Sequence, residues 1–209
     1  MNMPNVILLT GNHEQHLWKY ANDMTSKSKE FEKNTKPQLI KVNVSKKNIR
    51  MLYRKLRQIA YYTYNEKTVI VSHGGISRIP SNLQFLATDQ LINGVGQYDD
   101  MKFINDTFLS NTDDNTYQIH GHRNIDSLPI QVNERCFCLE GQVEFGGCLR
   151  IVTLDNNGFE TIELQNEVFK AVEVKQDIPL GLTNSEIINT LRNNTVSYTH
   201  LTLPTTPYV

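Results

Sequence analysis

The sequence predicts an α/β fold with two sheets, and three observations predict it. Over the first half, short apolar runs alternate with helix-length amphipathic stretches. The later part is a succession of strand-length segments separated by turn residues. Three apolar runs lead straight into glycine-flanked loops, the arrangement expected at the carboxyl ends of strands in an open α/β sheet.

Val6–Leu9 is fully apolar and ends in Thr10-Gly11, as a buried parallel strand feeding a loop would. A polar helix is expected from about His16 to Glu32, with Leu17, Tyr20, Ala21 and Met24 at helical spacing. Asn34-Thr35-Lys36-Pro37 reads as a linker and Gln38–Val44 as a short strand. Ser45 is an N-cap for a second helix reaching about Tyr64, striped by Ile49, Leu52, Tyr53, Leu56, Ile59 and Ala60. Its basic residues (Lys46, Lys47, Arg50, Arg54, Lys55, Arg57) read as a solvated face rather than a nucleic-acid stripe. Thr68–Val71 and Tyr117–Ile119 are the next strands, with a loop-rich and helical region between them. Cys136–Leu139, Gly147–Thr153 and Glu160–Leu164 follow as strands, with a turn at Asp155-Asn156-Asn157-Gly158, and Val168–Val174 adds one more.

The 209 residues suffice for one sizeable domain, and a 39% apolar content permits a core. A net charge of −1 argues against a strong nucleic-acid field or an anionic membrane partner, while leaving room for a substrate gripped by one terminal phosphate. No apolar run approaches a membrane span, so no membrane partner is expected. Three cysteines, Cys136, Cys138 and Cys148, without a signal peptide read as reduced thiols of a cytoplasmic protein. Cys136 and Cys138 are read as buried structural thiols rather than a zinc pair.

Chemistry concentrates in the histidines. Five of six lie in or beside three strand-end loops: His13 and His16 near Gly11-Asn12-His13-Glu14, His73 in Ser72-His73-Gly74-Gly75, and His120 and His122 in His120-Gly121-His122-Arg123. Adjacent glycine lets the backbone turn sharply and leaves room for a metal or phosphate. Neutral imidazole and an amide oxygen suit a borderline divalent ion such as manganese, iron or zinc. Phosphate-ester hydrolysis is served by two such ions about 3.5–4 Å apart, which stabilise the attacking and leaving oxygens.

Leu9-Thr10-Gly11-Asn12-His13-Glu14, Val71-Ser72-His73-Gly74-Gly75 and Gly121-His122 resemble, in order, the Gly-Asn-His-Glu, His-Gly-Gly and Gly-His motifs of calcineurin-like metallophosphoesterases of the phosphoprotein-phosphatase type. The resemblance covers roughly Val6 to Asp155. It implies a two-sheet α/β/β/α sandwich and a cofactor of two divalent metal ions, manganese first, with iron, zinc or nickel as alternatives. It also implies that Asn12, His73 and His122 ligate one metal and that His13 is the general acid protonating the leaving alkoxide. Glu14 would orient that loop from behind the ligands. Arg123 has two readings, a grip on a phosphate oxygen or an ordinary surface pairing.

The segment Glu140-Gly141-Gln142-Val143-Glu144-Phe145-Gly146-Gly147-Cys148-Leu149 is similar to the bacterial branch, and most to the phosphatase half of bacterial or phage proteins fused to an RNA ligase. The implied function is hydrolysis of phosphate esters of nucleotides or RNA ends. A protein serine/threonine phosphatase and a non-catalytic phosphate- or partner-binding domain are the alternatives. The Phe145-Gly146-Gly147 turn either caps the site from the second sheet or is a plain hairpin turn.

The sequence departs from the family at its start. The family's Asp-x-His and Gly-Asp-x-x-Asp-Arg-Gly loops precede Gly-Asn-His-Glu, and here only ten residues precede Gly11. The bridging carboxylate, the second metal's ligands, the carboxylate partner of His13 and a phosphate-binding arginine are therefore expected to be missing, and the chain is read as a fragment that is inactive alone. The expected organisation is a partial metallophosphoesterase domain over residues 1–174, a connector over 175–195 leading towards a fused ligase, and a tail over 196–209. The run from Val196 to Thr205 back-translates into codons resembling a transposon adapter used in sequencing libraries, so Val196–Val209, with His200, is read as alien to the fold.

Overall fold

A computed structural model describes residues 5–168 of the chain. The expected strand at Val168–Val174 falls beyond Val168, and the expected connector and tail lie wholly outside the described residues.

Five strands form a mixed sheet in the order β1-β2-β3-β5-β4: β1 is Ile59–Tyr64, β2 Lys67–Ser72, β3 Thr116–His120, β4 Gln131–Asn133 and β5 Cys136–Cys138. The central strands β2, β3 and β5 run parallel, and antiparallel β1 and β4 close the two edges. Strands β6 (Cys148–Asp155) and β7 (Gly158–Gln165) make a separate antiparallel hairpin.

Strand alternation builds the layers. On β2, Val69 faces one way and Ile70 the other, and both are fully buried. Val69 joins Ile119 and Phe137, against which Val152, Leu154 and Phe159 of the hairpin pack; Phe159 lies 4.7 Å from the Phe137 ring. Ile70 joins Ile76, Leu91, Phe108 and Cys136 on the opposite face, where α4 (Thr88–Asn93) and α5 (Met101–Ser110) lie. The molecule is therefore helix on sheet on hairpin, an α/β arrangement with two sheets. Each large apolar side chain sealed between layers contributes about 1.5–3 kcal/mol.

The N-terminal arm differs from its expected elements. Helix α1 covers Glu14–Ala21, and the chain turns away at Asp23 in the left-handed region instead of continuing to Glu32. A π-helical turn at Phe31–Thr35 runs into α2 (Lys36–Lys41), so the expected linker is helical, and the expected Gln38–Val44 strand is helix up to Lys41 followed by a turn at Val42-Asn43. Pro37 sits in the first turn of α2, where a missing N–H costs nothing. Val6–Leu9 is not a buried strand: Leu9 makes one parallel bridge to Arg57, and Val6 and Ile7 are 49% and 60% exposed.

Ser45 does cap α3 (Lys46–Tyr53), accepting the Asn48 N–H at 3.1 Å, but the helix ends at Tyr53. The residues expected to extend it, Ile59-Ala60-Tyr61-Tyr62-Thr63-Tyr64, are β1. β-Branched and aromatic residues favour a pleated surface, and the Asn65-Glu66 turn, with φ of 46° and 64°, joins β1 to β2 as a tight hairpin. Among the described residues no helix is long and apolar enough to cross a membrane.

Candidate metal centre

Parallel pairing of β2 and β3 sets their carboxyl ends side by side, with Val71 opposite Ile119. The chain continues from β2 into His73 and from β3 into Gly121-His122, and the two loops are joined directly by the Gly121 N–H donating to the His73 carbonyl at 2.9 Å. The rings of His73 and His122 then lie 4.8 Å apart. His122 adopts φ 70°, a left-handed conformation uncommon for a residue with a side chain, and Tyr98 donates its hydroxyl to the His122 carbonyl at 3.1 Å.

The third loop arrives from the arm. Leu9 bridges to Arg57, and the chain turns through Gly11 before α1 begins at Glu14. Glu14 holds this turn by accepting the Gly11 N–H on Oε2 at 2.7 Å. A Cβ at Gly11 would lie 2.8 Å from Cε1 of His73, so only glycine lets the loop come this close. Asn12 Oδ1 consequently reaches Nε2 of His73 at 3.1 Å. The structure thus brings Asn12, His73 and His122 together. His13 stands at the mouth, its side chain 52% exposed, with Nδ1 3.8 Å from Oε2 of Glu30.

Burial sets the charge state here. It pulls the His73 imidazole below its ordinary pKa, and nearby His13 adds to the effect. Burial pushes His122 down to about 4, with His73, Arg123 and His13 acting the same way. Both rings are neutral near pH 7, the form that can ligate a cation. Two imidazoles and an amide oxygen fit one borderline divalent ion. Among the described residues no three His, Cys, Asp or Glu side chains group as metal ligands; the donors here are two imidazoles and an amide oxygen.

The other histidines have different surroundings. His16 turns away from the cluster, its Nδ1 3.1 Å from the Ser26 hydroxyl and its ring against Phe31. His120 is buried beneath the site, with Nε2 3.0 Å from Oδ1 of Asn105, and burial pushes its pKa down to about 4. Asn105 also accepts from Gln118 Nε2 at 3.0 Å and donates to the Met101 carbonyl at 2.9 Å. This polar network ties α5 to the end of β3.

Arg123 is 1% exposed. Its Nη1 donates to the Gln97 carbonyl and its Nη2 to the Val95 carbonyl, each at 2.7 Å. Through these two carbonyls Arg123 fastens the loop that carries Tyr98; its Nε is buried with no hydrogen-bond partner, and burial rules out an ordinary surface pairing. Cys136 and Cys138 are fully buried, with Sγ contacts to the carbonyls of Asn105 at 3.5 Å and Arg123 at 3.6 Å; burial pushes the Cys136 thiol up to about 11.

Phe145 lies on a 3-10 turn, Val143–Phe145, followed by Gly146 at φ 87°. It lines a cleft of about 210 Å³ whose wall includes His122. Sequence reasoning did not find Glu30, Tyr98, Asn105 or Gln118. Each meets the site through tertiary packing, and none carries a local motif. No protein-family model matches the chain, and comparison with curated proteins finds no match.

Proposed function

We propose that this chain is the metal-holding part of a calcineurin-like phosphoesterase that hydrolyses phosphate esters of nucleotides or RNA ends. The reading is carried by one observation: an asparagine oxygen and two neutral imidazoles from three glycine-bearing loops meet within contact distance. In this reading the mixed sheet and the hairpin are the inner layers of an α/β/β/α sandwich.

Asn12, His73 and His122 would hold one divalent ion, with manganese as first candidate and iron, zinc or nickel as alternatives. Such an ion, when bound, supplies a nucleophile at neutral pH and stabilises charge on the phosphoryl oxygens. Glu14 keeps Asn12 at His73 by holding the Gly11 turn. His13, half exposed and with Glu30 Oε2 3.8 Å from its Nδ1, would deliver a proton from Nε2 to the leaving alkoxide. Arg123 acts through the loop it fastens.

Paramagnetic manganese titrated into the protein tests the assignment. Broadening should start at the His73 and His122 ring resonances and at the Asn12 amide, and should weaken in His73→Ala and in Asn12→Ala. Broadening centred elsewhere, or unchanged in both variants, would overturn the site. Release of inorganic phosphate from nucleotide and phosphopeptide esters tests the substrate class. Preference for the phosphopeptide would favour a protein phosphatase.

A further inference from the structure

The cleft beside His122 is walled by Tyr98, Asn124, Glu140, Gln142, Glu144 and Phe145 together with Ile125. Its volume of about 210 Å³ is below the ~300–1,000 Å³ of pockets that enclose drug-sized ligands, so it suits a single flat ring system. Two of its walls are aromatic side chains, Tyr98 and Phe145, each 51% exposed. Tyr98 is held in place by its hydroxyl bond to the His122 carbonyl.

The polar groups select what enters. Glu140 and Glu144 face Tyr98 across this wall and line the cleft, whereas the nearby Arg123 and Arg150 stand behind it, donating to the carbonyls of Gln97 and Val95 and of Glu140. Two carboxylates repel a phosphate, so the cleft receives the part of the ester that is not phosphate. Ionised carboxylates only accept hydrogen bonds. Glu140 is oriented by the Gln142 N–H, which donates to its Oε1 at 2.8 Å, and partial burial raises its pKa, so a matched donor there is worth more than in water.

We infer that this cleft binds a guanine base on the alcohol side of the ester, a specificity that rests on the phosphate sitting at Asn12, His73 and His122. Guanine offers N1–H and N2–H side by side, two donors matched to one carboxylate. Adenine and cytosine put a ring acceptor beside their amino group, and uracil flanks its one N–H with two carbonyls, so each sets an acceptor against a carboxylate. The rings of Tyr98 and Phe145 supply faces for stacking, which contributes to binding any base and leaves discrimination to the carboxylates.

Guanosine, inosine, adenosine, cytidine and uridine should be titrated into the full chain and followed by saturation-transfer NMR. None carries a phosphate, so binding is read independently of metal and of hydrolysis. Guanosine should bind at least about tenfold more tightly than adenosine, cytidine or uridine, with inosine, which lacks the N2 amino group, in between. Glu140→Gln should erase most of the preference, and Phe145→Ala should weaken all five ligands together. Equal affinity for all five, no binding by any, or tighter binding of an arginine-rich peptide than of guanosine would overturn the inference. Guanosine binding without manganese broadening at His73 and His122 would remove the phosphoesterase reading and keep the base site; broadening there with no preference among bases would do the reverse.

Discussion

The loops that carry His73 and His122 grow from the best-packed part of the molecule, whereas the loop that carries Asn12 and His13 belongs to an arm that meets the sheet region through the Leu9–Arg57 bridge and the Asn12–His73 contact. Val69, Ile70, Cys136 and Phe108 around β2, β3 and β5 are fully buried. In the arm, Ile40, Val42 and Met51 are half or more exposed while Ala21, Phe31 and Ile49 are buried, and α1 meets α3 through the Trp18–Tyr53 stack at 4.8 Å and the Arg50 guanidinium on the Ala21 carbonyl. The difference teaches that two of the three proposed ligands are placed by the fold, while the third is placed by a weaker attachment.

The largest expected effect falls on the arm and should spare stability. His13→Ala should lower kcat by roughly 10²–10⁴-fold in the active protein, with metal content and thermal midpoint near wild type. An ester with a very acidic leaving group should lose less. Loss of metal, or equal loss with both esters, would show that His13 is not the acid.

Phe108→Ala does the opposite. It empties a fully buried position between α5 and the sheet and should cost about 3–5 kcal/mol in denaturant unfolding. A cost below about 1 kcal/mol would mean that the sheet region is no better packed than the arm.

The histidine beneath the site gives the sheet a pH dependence. His120 in the folded state titrates at about 4, below its ordinary 6.5, so the unfolded chain binds more protons between those values. Its contribution is fully present above pH 6.5 and is lost as pH falls towards 4, to a limit of about 3 kcal/mol. His73 and His122, also lowered, act in the same direction. His120→Gln should flatten the unfolding free energy measured from pH 7 to pH 4; an unchanged slope would show that other groups carry it.

Two smaller changes sharpen the contrast. Ser45→Ala removes the α3 cap and should cost about 1 kcal/mol, seen as faster hydrogen exchange in α3 with β2 and β3 unaffected. Spread of the effect into β2 would mean that arm and sheet open together. Lys102→Ala removes an exposed pair with Asp106 on α5 and should change stability by less than about 0.5 kcal/mol.

The sequence by itself determined the strands whose neighbours in the chain announce them. Lys67–Ser72 and Thr116–His120 lead into histidine loops, and Asp155-Asn156-Asn157-Gly158 has the residue types that favour a hairpin turn, so β2, β3 and the β6–β7 hairpin were legible. Asn12, His73 and His122 were singled out by the resemblance of their motifs; His73 and His122 do follow β2 and β3, whereas Asn12 follows a single bridge at Leu9 and not a strand of the sheet. Tertiary structure decided the rest. Ile59 and Ala60 continue the stripe of α3 as well as they begin a strand, and pairing with β2, a contact the local pattern does not encode, chose the strand. Arg123 looks in sequence like a charge beside a ligand; the carbonyls of Val95 and Gln97, 28 and 26 residues away, bury it. Glu30 meets His13 only because the chain turns back at Asp23. Local chemistry fixes which residues can bind or turn, but contacts between segments far apart in the chain depend on how the whole core closes, and that is settled only when every layer is in place.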